Sequence, residues 1–144
     1  MKNFKTELPE DYAELKKEAN YTSSWSQRLE AVNTLAGFKD DKVIDLLTNR
    51  LNNDTVYKIR MAAYEALVDF GVSVKKPEPA RFDIIKGVDK ILLRVWKSLP
   101  AGHTVEDFAS KLERMRLDVY DAYEGEKGDQ FKPWLEEKWS KLNK

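Results

Sequence analysis

Residues 59–71, IRMAAYEALVDFG, restate a line that the chain has already written at residues 27–39, QRLEAVNTLAGFK. At an offset of 32, Trp25 falls on Tyr57, Arg28 on Arg60, Ala31 on Ala63, Leu35 on Leu67 and Phe38 on Phe70. Between the copies lies DDKVIDLLTNRLNND, a second amphipathic helix bounded by acidic turns. Helices that recur near every 30 residues are the mark of an α-solenoid. One such unit has an apolar face it cannot bury alone, so stacking on a neighbour is what makes a core. Small residues at Ala31, Ala62, Ala63 and Ala66 permit the close helix approach that stacking needs.

The rest of the chain also reads as helix. A first helix is predicted over about 5–20, with Phe4, Leu8, Tyr12, Leu15 and Ala19 on one face. Ser24-x-x-Gln27 has the form of a capping box for a second helix over about 25–37. KDDK and then Val43, Ile44, Leu47 and Leu51 mark the third, and Asp54 is the expected cap of a fourth over about 55–70, ended by Gly71. Pro77 and Pro79 make VSVKKPEPA a connector. A fifth helix follows over about 81–98, and Thr104-x-x-Asp107 opens a sixth near 105–124, ended by Gly125 and Gly128. Phe108, Leu112, Met115, Val119 and Tyr123 form its inward stripe, and Pro133 is the expected first residue of the last helix. No segment alternates long enough to make a sheet.

Asp54, Ile59-Arg60, Ala62-Ala63, Ala66-Leu67, Phe70 and Gly71 resemble HEAT repeats in the short form of bilin-lyase-like proteins. In the first copy Arg28, Ala31, Leu35, Phe38 and Asp40 follow the pattern, while Gln27 and Lys39 depart from it. The resemblance covers about residues 24–71 and implies a scaffold that presents a helical surface to a protein or a nucleic acid. It also implies that Arg60 ties down the turn acid Asp54. The expected fold is therefore all-α: a short right-handed solenoid of HEAT-like helix pairs with an additional C-terminal helical cap, about seven helices in all. A single domain over 1–144 is expected, with residues 24–76 as the repeat core and 80–144 as the C-terminal helices.

Charge narrows the partner. The 25 basic and 25 acidic side chains cancel, but residues 75–103 carry a net +4 and each flank a net −2. That balance argues against a general phosphate binder and leaves room for a local anionic contact. The sequence has no Cys, which fits a reducing compartment and removes thiolate zinc sites and cysteine nucleophiles. MKNFKTELPEDY lacks the apolar core of a signal peptide, so a cytoplasmic protein is expected.

No residue set announces a chemistry. His103, the one histidine, reads as a turn residue before a helix cap, with Asp107 the single imaginable partner. Asp118, Asp121, Glu124, Glu126 and Asp129 lack the spacing of a calcium loop. There is no phosphate-binding glycine loop and no nucleophile elbow. Trp139 lies on the apolar stripe of the last helix and is expected in the core, whereas Trp134 lies off it. Neither an enzyme nor a cofactor or metal site is expected.

One surface feature stands out. Lys86, Lys90, Arg94 and Lys97 follow at spacings of 4, 4 and 3 and so share one helical face, within about 80° at 100° per residue. Leu93 falls in the middle of that stripe, where a solvated face has no use for it. The reading is a non-enzymatic protein-interaction module that docks an acidic partner segment on Lys86, Lys90, Arg94 and Lys97, with Leu93 as the apolar anchor. The alternative is nucleic-acid binding in a repeat groove, as in DNA glycosylases of HEAT-like build, which use Trp and Asp there.

Overall fold

The computed structural model describes residues 4–79 and 84–144. These form eight α-helices: α1 (Tyr12–Ala19), α2 (Trp25–Leu35), α3 (Asp41–Asn53), α4 (Tyr57–Asp69), α5 (Val88–Lys97), α6 (Val105–Met115), α7 (Leu117–Lys127) and α8 (Phe131–Leu142). A single 3₁₀ turn, Gly128–Gln130, joins α7 to α8. The chain divides into two compact units, Met1–Pro79 and Ala80–Lys144, at the proline-marked connector. Each unit has its own cluster of buried apolar side chains.

In the first unit α1 packs along α2, α3 along α4, and α2 lies against α4. The two restated helices are therefore neighbours, as repeat stacking requires. Ala31 and Ala63, equivalent in the two copies, have no exposed surface, and neither do Leu35 and Leu67. Gly71 ends α4 at φ 87°. Its N–H donates to the Val68 carbonyl and the Val72 N–H donates back to Leu67, both at 2.9 Å. Those two bonds are a Schellman stop, which needs the left-handed backbone that glycine adopts without strain.

Two boundaries differ from expectation here. The first helix begins at Tyr12 and not near residue 5. Pro9 inside a helix would lack a donor and cost about 3 kcal/mol. The segment before it instead pairs with the end of the repeat: Lys5 N–H donates to Gly37 O at 2.8 Å and Lys39 N–H donates to Lys5 O at 2.6 Å. Asp54 is likewise not the N-cap of α4, which starts three residues later at Tyr57. It follows α3 directly, and its Oδ1 accepts from the Val56 N–H at 2.9 Å.

In the second unit α5, α6, α7 and α8 close around Val88, Leu92, Val95, Phe108, Leu112 and Phe131. The fifth helix starts at Val88, because Gly87 takes φ 79° and ends any helix running in from Ile84. The expected residues 81–83 of that helix lie outside the described residues. The expected sixth helix is two helices. Arg116 sits at φ −141°, ψ 71° between them, and its guanidinium grips Asp118 with two bonds of 3.0 Å. Gly125 lies inside α7, and Gly128 alone ends it. Pro133 is the third residue of α8, still within the first turn, where a missing N–H breaks no helical bond.

The predicted cap of α6 is present in full. Thr104 Oγ1 accepts from the Asp107 N–H at 3.1 Å, and Asp107 Oδ2 accepts from the Thr104 N–H at 3.0 Å. The Thr104 backbone N–H, then its side chain, holds the Asp107 carboxyl below the usual carboxylate range. A lowered folded-state pKa means that this contribution is present above the usual carboxylate range and is lost as pH falls through the lowered value. A carboxyl-carbon NMR titration is expected to place Asp107 below its unfolded midpoint. Thr104→Ala should cost about 1 kcal/mol in urea unfolding, and an unchanged midpoint would mean that the cap adds nothing.

Candidate docking surface on α5

The sequence of α5, VDKILLRVWK, sorts its residues cleanly by face. Val88, Leu92 and Val95 are buried in the second unit's core. Lys90, Leu93, Arg94 and Lys97 are exposed on the other side, Leu93 at 36% of its full area. The helical geometry thus brings together four of the five expected site residues. Lys86 is not among them: it lies in the turn before Gly87 and is exposed there.

Lys90, Arg94 and Lys97 take part in no ion pair among the described residues. The one acid on the helix, Asp89, is held by Lys138 of α8 at 2.7 Å. Beside that pair, Asp89, Leu92, Lys138, Lys141 and Leu142 line a cleft of about 210 Å³. That is below the roughly 300–1,000 Å³ of small-molecule sites.

Several aromatic residues brace the second unit. His103 is a turn residue before the Thr104 cap, as expected, but it does more than turn. Its ring stands edge-on between Trp96 and Trp139, with centroids 5.8 and 6.0 Å away. Trp139 Nε1–H donates to His103 Nε2 at 3.0 Å, and His103 Nδ1 lies 2.9 Å from the Pro100 carbonyl. An imidazole that accepts at Nε2 is neutral and carries its proton on Nδ1, which then donates to that carbonyl. Both ring nitrogens are thus used inside the unit. Trp139 itself is half-buried against the core rather than within it. Trp134, off the apolar stripe, stacks on Tyr123 at 4.6 Å and 9°, with Lys127 and Lys138 over its ring at 5.2 and 5.9 Å.

The acidic series from Asp118 to Asp129 is dispersed. Asp118 is paired with Arg116, Asp121 is buried, and no group of three metal-binding side chains occurs among the described residues.

Sequence reasoning missed the charged centre of the first unit. Asp54 is buried at 5% exposure and Arg28 at 3%. Arg28 Nε donates to Asp54 Oδ2 at 3.0 Å and its Nη1 donates to the Tyr21 carbonyl at 2.9 Å. Arg50 Nη1 reaches the same Oδ2 at 3.1 Å, while its buried Nε has no partner among the described residues. Arg60, expected on this carboxylate, instead donates to the Asp54 carbonyl at 2.9 Å and the Glu78 carbonyl at 3.2 Å. The arginine of the first copy therefore holds the turn acid of the second. The offset of 32 had already aligned Arg28 with Arg60, and that was the signal for it.

Stacked like helices joined by such a contact define an α-helical repeat protein. Residues 12–82, about half of the chain, match the family of HEAT repeats, and the protein is a HEAT-like repeat protein. The match begins at α1 and reaches past the connector, further than residues 24–71, and it specifies HEAT repeats without a subtype. Comparisons with curated proteins and with solved structures each returned no match. Among the described residues, no helix is long and apolar enough to cross a membrane.

Proposed function

We propose that this protein is a non-enzymatic interaction module that docks an acidic segment of a partner protein on the exposed face of α5, in the cytoplasm. HEAT repeats in general serve as protein-interaction scaffolds, and this reading gives the chain one surface for the task. The observation that carries it is the row Lys90, Arg94 and Lys97, exposed and in no ion pair among the described residues, around a Leu93 exposed at 36%. Lys86 adds charge from the preceding turn. Solvated lysines alone need no partner, but a leucine among them loses water-exposed apolar area only when something covers it. Complementary charge at such a rim speeds encounter and fixes register more than it adds affinity.

The test uses a fluorescein-labelled glutamate-rich peptide and duplex DNA as separate probes. The peptide is expected to bind at low ionic strength and weaken with salt. Lys90→Glu with Arg94→Glu should abolish that binding while shifting stability by only about 0.5 kcal/mol per substitution. Leu93→Ala should leave the melting temperature unchanged. A large drop would mean that Leu93 is packed within the unit. Binding of DNA and not of peptide would overturn the reading in favour of a nucleic-acid partner.

A further inference from the structure

The stripe on α5 does not end at the helix. Ser98, one turn beyond Arg94, donates its hydroxyl to the Val95 carbonyl at 2.6 Å, and Met115 Sδ lies 3.6 Å from the hydroxyl oxygen, so the end of α6 adjoins the same face. Met115 is 41% exposed and Leu117, just across the break, 37%. Met115 is the last residue of α6 and in phase with Phe108 and Leu112, both of which are fully buried, yet it stands exposed at the helix end. Arg116, held by its two bonds to Asp118, separates α6 from α7 at this exposed end. Arg114, exposed and in no ion pair among the described residues, adds a further cation there.

The geometry points to one docking surface running from Lys90 and Leu93 over Ser98 to Met115 and Leu117, whose occupant is an amphipathic acidic segment of a partner protein. This rests on the α5 reading and refines it: the partner presents aliphatic side chains between its carboxylates, where a plain polyacidic tail would leave Leu93, Met115 and Leu117 wet. Unbranched Met is suited to such a contact, because its thioether adapts to the shape of what covers it.

Two labelled peptides of equal negative charge separate the possibilities, one of Glu and Gly, the other with Leu at helical spacing. Against the full chain the Leu-bearing peptide is expected to bind about tenfold tighter. Met115→Gln with Leu117→Gln should erase that advantage and leave the Glu–Gly peptide unaffected. Both positions are exposed, and circular dichroism will verify the fold of the variant. Equal binding of the two peptides, with the Gln variant unchanged, overturns the extension and leaves the α5 stripe standing. Binding of neither peptide at low ionic strength overturns both.

Discussion

Asp54→Ala is expected to destabilise the first unit by about 3–5 kcal/mol, because it strands a buried guanidinium without its counter-ion. Arg28 is 3% exposed and directs its Nε and Nη2 at the Asp54 carboxylate. Truncation also removes the acceptor for Arg50 and for the Val56 N–H, so the turn into α4 loses its anchor as well. Domains are stable by only about 5–15 kcal/mol in total. The variant should therefore populate open forms of α1–α4 that urea titration and amide hydrogen exchange both detect. A double variant, Arg28→Met with Asp54→Leu, is expected to recover part of the loss, since it removes the stranded Arg28 guanidinium while Arg50 and the Val56 N–H still lack their acceptor. A loss under about 1 kcal/mol for Asp54→Ala would mean that Arg28 reaches water.

Phe108→Ala is the corresponding test of the second unit, with an expected cost of about 3–5 kcal/mol. Its ring has no exposed surface and packs in the cluster that includes Val88, Leu92, Val95 and Leu112. Removing it deletes buried apolar area and leaves a cavity that helices fixed on several sides cannot collapse to fill. Hydrogen exchange in α5–α8 is expected to accelerate, and a shift of under about 1 kcal/mol would mean that the site repacks.

Legibility followed the range of the interaction. Apolar spacing placed α2 and three of the four buried residues of α3, Val43, Leu47 and Leu51, because periodicity is a local property that burial enforces. Gly71 and the Thr104–Asp107 box were equally readable, since each is complete within a few residues. The misplaced boundaries have a different origin. Tyr12 opens α1 because the chain before it bonds to Gly37 and Lys39, far off in sequence. Arg116 breaks a perfectly periodic stripe through a pair with Asp118 that periodicity does not encode. The stripe on α5 was legible as charge and spacing, apart from Lys86, which Gly87 separates from the helix. Its continuation onto Met115 was not, because periodicity puts that residue on one stripe with the buried Phe108 and Leu112, whereas at the end of α6 it is exposed.

The Arg28–Asp54 contact also bears on how such a chain changes over generations. The two residues are 26 positions apart and belong to different copies of the repeat, yet neither has an independent history open to it. A lone substitution of Asp54 passes through a state with an unmatched internal charge, and one of Arg28 leaves that carboxylate to Arg50 alone, states that selection on folding disfavours. Related sequences should therefore keep both or exchange both for apolar residues. Repeats joined in this way are inherited as a pair, and duplication or loss of a single copy would have to cut through the bond that holds them together.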